Sequence, residues 1–162
     1  MKSLVVVIHN IRSTHNVGSI LRSCDGFGVD HVVLSGYTPY PEILNDQRLP
    51  HIRDKITKQI HKTALGAEKT LSLEQTTQCN LAAYKTDGYR IVGLEQHSTS
   101  IPINQYTPPH KVVLLLGEEV DGISYDLLNQ CDDIIEIPMS GTKESFNVSV
   151  ATGIALYALR MA

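Results

Sequence analysis

Five short apolar runs, rich in β-branched residues, constrain this chain more than any other feature. They are Leu4–Ile8, His31–Leu34, Arg90–Leu94, Lys111–Leu116 and Asp133–Ile137. Each is nearly continuous rather than alternating, the pattern of parallel strands buried on both faces. Helical patterns separate them. One runs from Asn16 to about Asp25, ended by Gly26 and Gly28, and a second covers about Pro50–Thr63. A third lies around Leu73–Tyr84, a short one over Tyr125–Gln130 behind Ser124, and the last from about Phe146 to Met161 with Val148, Ala151, Ala155 and Ala158 on one face. Strands alternating with helices predict an α/β fold: a mainly parallel sheet with helices on both faces. The stretch His97–His110, with Pro102, Pro108 and Pro109, reads as a surface loop.

The 162 residues are expected to form one domain spanning 1–162. No apolar run approaches the roughly 20 residues of a membrane helix, and no cleavage site follows the first strand, so neither a span nor a leader is expected. Cys24, Cys79 and Cys131 are odd in number and scattered. With no CxxC or HxxxH pair, neither a disulfide framework nor a metal site is expected, and a cytoplasmic location is.

The net charge of −3 is unevenly placed. Arg48–Lys69 carries Arg48, Arg53, Lys55, Lys58, Lys62 and Lys69 against Asp54 and Glu68, so it is +4 on a −7 remainder. On a helix His51, Lys55, Lys58 and Lys62 share one face and Ile52, Ile56 and Ile60 another. That face is either an ordinary solvated surface or a phosphate contact.

Common ligand motifs are missing. The first strand leads into His9–Asn10–Ile11–Arg12–Ser13 rather than a G-x-G-x-x-G turn, Gly122 is followed by Ile123 rather than Lys, and no G-x-S-x-G elbow occurs. Three other segments hold unusual polar residues: Asn16-Val17-Gly18-Ser19-Ile20-Leu21-Arg22, Leu116-Gly117-Glu118-Glu119-Val120-Asp121-Gly122-Ile123-Ser124, and Ile137-Pro138-Met139 followed by Ser145-Phe146-Asn147-Val148-Ser149-Val150-Ala151. The second and third follow strands, where open α/β sheets bind ligands.

In order and spacing these segments resemble the three signature motifs of the SpoU/TrmH family of RNA 2′-O-ribose methyltransferases, in the SPOUT superfamily. The resemblance runs from Asn10 to Ala162. It departs from the family pattern at Glu118, where Asn is frequent, and at Phe146, where Leu is usual. It implies a C-terminal trefoil knot built from about Lys111 onward, a feature that periodicity does not reveal. It implies S-adenosyl-L-methionine as cofactor, held near Leu116, Gly117, Ile137, Met139, Phe146 and Val148. It implies a homodimer with the site near the subunit interface. Many family members carry an extra RNA-binding domain before the first motif; with the first strand beginning at about Leu4, none is expected here. The substrate would be RNA, tRNA first and rRNA second, with no metal and no membrane partner.

By the same resemblance Asn16, Arg22, Glu119, Ser145 and Asn147 fall on functional positions. Arg22 would grip an RNA phosphate and stabilise a developing alkoxide. A pKa above about 12 makes it a poor general base. Ser145 and Asn147 would orient ribose or phosphate, while Glu119 and Asn16 hold the loops. Arg22, Arg53, Lys55, Lys58 and Lys62 are the candidate RNA contacts. Each of the five motif residues has a plainer reading. Asn16 caps its helix, Ser145 caps the last helix with Asn147 in its first turn, Arg22 decorates a helix surface, and Glu119 is a loop carboxylate. The competing function class is a non-catalytic RNA-binding or assembly module that kept the fold; absence of cofactor binding would favour it.

Overall fold

A computed structural model describes residues 2–162. Seven strands form one sheet: β1 (Ser3–His9), β2 (His31–Ser35), β3 (Leu73–Thr76), β4 (Arg90–Leu94), β5 (Ile101–Pro102), β6 (Lys111–Leu116) and β7 (Asp133–Glu136). Their order is β3-β2-β1-β6-β4-β7-β5, and every pairing is parallel. Five α-helices accompany them: α1 (Thr14–Gly26), α2 (Pro50–Ala64), α3 (Leu81–Thr86), α4 (Tyr125–Leu128) and α5 (Val148–Met161). None is long and apolar enough to cross a membrane.

The alternation of side chains along β1 divides the core in two. Leu4, Val6 and Ile8 face one way and pack with Val17, Ile20, Leu21 and Cys24 of α1, Ile60 of α2 and Leu156 of α5. Val5 and Val7 face the other way and pack with Leu81 of α3, Ile91 and Val113, flanked by Leu127 and Leu128 of α4. Helices therefore cover both faces of the sheet, which is why these strands read as unbroken apolar runs. Each fully buried Leu or Ile contributes roughly 1.5–3 kcal/mol of transfer free energy.

Two sequence expectations change. Leu73–Tyr84 is not one helix; it is β3, a loop and α3. Leu71 and Leu73, two apart, both pack against the helix-covered core, a strand period, and Leu73 registers with Val32. The stretch His97–His110 is not loop throughout, because Ile101 and Pro102 form the edge strand β5. An edge tolerates proline, whose missing N–H costs no ladder bond on the open side.

Helix ends also differ. Ser13, not Asn16, caps α1, its hydroxyl accepting from the Asn16 N–H. Ser124 precedes α4 without a side-chain cap bond. The last helix starts at Val148, with Asn147 as its cap. In motif one, Gly18 sits where α1 crosses α2, and a Cβ there would run into the Ile60 carbonyl and the Thr63 hydroxyl. That close crossing is tied by the Thr63 hydroxyl donating to the His15 carbonyl at 2.9 Å.

Candidate functional site

The carboxyl ends of β1, β6, β4 and β7 are neighbours in the sheet, so the loops after them converge on one edge. After β6 the chain turns tightly: Glu118 and Gly122 exchange backbone hydrogen bonds at 3.0 and 2.9 Å. Gly122 has φ +70°, and a Cβ would strike the Glu95 carboxylate, which accepts from the Ile123 N–H at 2.9 Å. After β7 the segment 137–147 wraps back. Gln96, just beyond β4, pins it by donating to the Glu144 carbonyl at 2.6 Å.

These loops enclose a cleft. All six residues expected at the cofactor (Leu116, Gly117, Ile137, Met139, Phe146 and Val148) line it, and so do Glu119 and Ser145. Leu94, Glu95, Gln96, Glu136 and Ala151 line it too, and sequence reasoning missed them. Glu95 and Gln96 directly follow a predicted strand, so the strand-end rule reaches them once it is applied to β4. The lining holds five carboxylates, Glu95, Glu118, Glu119, Asp121 and Glu136, and no Lys, Arg or His among the described residues. The cleft is therefore apolar-walled and acidic.

Beside it the motif residues form a directed chain of hydrogen bonds. Asn147 Oδ1 accepts from the Ser149 N–H at 2.9 Å and from its hydroxyl at 2.6 Å. Asn147 Nδ2 donates to Asn16 Oδ1 at 3.1 Å, and Asn16 Nδ2 donates to Glu119 Oε1 at 3.3 Å. Glu119 also accepts the backbone N–H groups of Arg12 and Ser13, each at 3.2 Å. Its carboxylate thus sits at the amino end of α1, where the helix dipole favours a negative charge. Burial pushes its pKa up, but the backbone N–H groups of Glu119, Ser13 and Arg12 and the Asn16 amide outweigh that and hold it below the ordinary value.

Asn16 is not the cap of α1, and both Asn16 and Glu119 are engaged in long-range hydrogen bonds. Asn147 is a cap and a network member at once. Ser145 makes no hydrogen bond among the described residues. Arg22 stands outside the cluster: it is exposed on α1, six residues or about 9 Å of helix rise beyond Asn16, and has no polar partner among the described residues.

The RNA-contact candidates of α2 divide. Lys55, Lys58 and Lys62 are exposed and free of ion pairs among the described residues. Arg53 is engaged by Asp54 at 2.9 Å and Glu42 at 3.5 Å. Arg48 is committed to the loop before α2, its guanidinium 3.6 Å over the Tyr40 ring and paired with Asp46.

Comparison with known proteins follows the same lines. The SpoU rRNA Methylase family matches residues 3–157. A tRNA (guanosine(18)-2′-O)-methyltransferase of Aquifex aeolicus is 35% identical over 158 residues, covering 96% of this chain and 68% of the relative. A 23S rRNA (guanosine-2′-O-)-methyltransferase of Vibrio cholerae is 31% identical over 156 residues, covering 95% of this chain and 57% of the relative. The chain spans 9% of a 30% identical tRNA (guanosine(18)-2′-O)-methyltransferase of Mus musculus. Among solved structures, the A. aeolicus TrmH/SpoU tRNA modifying enzyme superposes with a TM-score of 0.81 at 28% identity, covering 99% of this chain and 75% of that one. An AdoMet-bound rRNA methyltransferase from Sinorhizobium meliloti shares the fold, with a TM-score of 0.80 at 20% identity, 99% of this chain and 57% of that one.

Proposed function

The chain belongs to the SpoU rRNA methylase family, and on that premise we propose that it transfers a methyl group from S-adenosylmethionine to a ribose 2′-hydroxyl of tRNA or rRNA. The observation that carries this reading is the acidic, apolar-walled cleft lying against the Glu119–Asn16–Asn147 chain.

The cleft fits the cofactor. Leu116, Ile137, Met139, Phe146 and Val148 offer apolar contact to an adenosine. The five carboxylates of the lining, of which only Glu118 meets a cation among the described residues (Arg12, at 3.0 Å, from outside the lining), attract a sulfonium more strongly than the neutral thioether left after transfer. Bound there, S-adenosylmethionine supplies an already activated methyl group. The protein's own task is to orient the ribose and to ease loss of a weakly acidic proton. Asn147 and Asn16 fix each other's amides, so any group they meet faces a preset donor and acceptor. Ser145, with its hydroxyl unengaged at the cleft, is free to bond the ribose. Glu119 anchors this set to the start of α1. Arg22 serves the developing alkoxide and the adjacent phosphate through its charge.

A homodimer is part of the reading. Val150, Tyr157 and Met161 leave an apolar stripe exposed on α5, the helix packed on α1. A second copy seated on that face covers the stripe, and the unpartnered Arg22 on α1 finds its role beside the joint. A C-terminal trefoil knot from about Lys111 onward accompanies the family fold; the insertion of β6 between β1 and β4, and of β7 between β4 and β5, supports it. Three free thiols suit a cytoplasmic, reducing location.

The test is transfer of labelled methyl from S-adenosylmethionine to RNA, read as alkali-resistant ribose linkages. Label in ribose, abolished in Arg22→Ala, is the expected result. Label confined to bases, or no cofactor binding by calorimetry at millimolar concentration, overturns the proposal.

A further inference from the structure

Arg12 and Tyr37 stand apart from every role assigned so far. Arg12 follows β1 and Tyr37 follows β2, so they occupy neighbouring strand ends on the flank of the polar cluster away from the cleft. Along the sheet edge the sequence is Tyr37, Arg12, then Glu118 and Glu119 after β6, then the cleft over β6, β4 and β7, one strand spacing of about 5 Å per step.

The pair is built, not accidental. Asn10, at φ +55°, accepts the Tyr37 N–H on its Oδ1 at 3.1 Å. The Arg12 N–H is held by Glu119, and its guanidinium meets Glu118 at 3.0 Å and the Tyr37 ring at 5.5 Å from the centroid. Yet both side chains remain open. The Arg12 side chain is 75% exposed against 19% for Glu118, and Tyr37 is 50% exposed. With its own side chain this open, the Arg12 guanidinium is in reach of a second anion from solvent. An exposed ring beside an exposed guanidinium, next to the Glu119–Asn16–Asn147 chain, matches how proteins hold an unpaired nucleotide: base on ring, phosphate on arginine.

We propose that Arg12 and Tyr37 hold the nucleotide that is methylated, Tyr37 stacking on its base and Arg12 pairing with an adjoining phosphate. This rests on the reading that RNA ribose is the acceptor. It also explains how an acidic cleft accepts a polyanion: Arg12 sets a positive charge at the cleft's edge, on the side where RNA enters.

The test uses the full chain, total tRNA as methyl acceptor, and a short fluorescent single-stranded oligoribonucleotide for binding. Arg12→Gln and Tyr37→Ala are expected to raise the KM for RNA roughly tenfold, the scale of one lost base–aromatic stack. Cofactor affinity by calorimetry stays unchanged, and Tyr37→Phe, which keeps the ring, restores most of the RNA affinity. Wild-type RNA affinity in both Arg12→Gln and Tyr37→Ala overturns the inference, as does a parallel fall in cofactor affinity, or damage by Tyr37→Phe equal to that by Tyr37→Ala. If the wild-type chain binds cofactor but labels no RNA ribose, the underlying reading fails instead.

Discussion

Asn147 donates its side-chain amide to the Oδ1 of Asn16 at 3.1 Å, joining the cap of α5 to the first turn of α1 across 131 positions of chain. The same Asn147 caps α5 through its Oδ1. One residue therefore carries two separable duties, and a single substitution tells them apart. Aspartate caps a helix as well as asparagine but has no N–H to give. Asn147→Asp is expected to keep the cap's share of stability while losing at least tenfold in kcat, because two oxygens then face each other across the Asn16 contact. Asn147→Ala loses the cap as well, about 1 kcal/mol. Equal activity in wild type and Asn147→Asp, by labelled methyl transfer, would remove the network from the mechanism.

Glu119 gives the cluster a pH dependence. Its folded pKa lies below the ordinary 4.5, because N–H donors outweigh the burial that acts against them. The unfolded chain therefore binds its proton first as pH falls, and the stability linked to Glu119 is present above about pH 4.5 and lost as pH drops through the lowered value. Urea unfolding across acid pH checks this. Glu119→Gln is expected to flatten the acid limb, since the amide does not titrate, and to loosen the Arg12–Ser13 turn that the carboxylate holds.

The strands are legible in the sequence for a physical reason, whereas the cleft residues are reached through the resemblance of the three motifs. Burial on both faces forces unbroken apolar runs, and turns that approach backbone force glycine, so Val112–Leu116 and Gly117 announce themselves locally. Long-range polar pairing leaves no such trace. Nothing near Asn16 says that its partner is Glu119 rather than the helix it begins, and the local preference for Asn at caps points the wrong way. The partner of Glu95 is hidden for the same cause: the strand-end rule reaches the residue, but its bond to the Ile123 N–H depends on β4 lying beside β6. The edge strands β3 and β5 leave little signal because short edge strands are half exposed and lack the apolar run.

Gly18 ties packing to the site. A Cβ at this position collides with the Ile60 carbonyl and the Thr63 hydroxyl, so Gly18→Ala must spread α1 from α2. Overpacking of this kind costs about 1–3 kcal/mol, to be read from the urea midpoint at unchanged slope. Asn16 lies two residues away on the same helix, so activity is expected to fall further than the loss of folded protein explains. A Gly18→Ala chain as stable as wild type would mean that α2 yields without strain.

The lysines of α2 provide a prediction about RNA itself. Lys55, Lys58 and Lys62 span about 10 Å of helix, exposed and without carboxylate partners among the described residues, whereas Arg53 is already neutralised by Asp54 and Glu42. Counterions released from phosphates make affinity fall with salt, by somewhat under one logarithmic unit per contact for each tenfold of salt. Converting all three lysines to glutamate is expected to weaken RNA binding at low salt and to flatten the slope of log affinity against log salt by about 2. Arg53→Gln, losing a charge that is already paired, is expected to change the slope by less than Lys58→Gln does. Fluorescence titration of labelled tRNA over a salt series decides it. An unchanged slope in the triple variant would show that this face is only solvated surface, leaving Arg12, Arg22 and the dimer to meet the RNA.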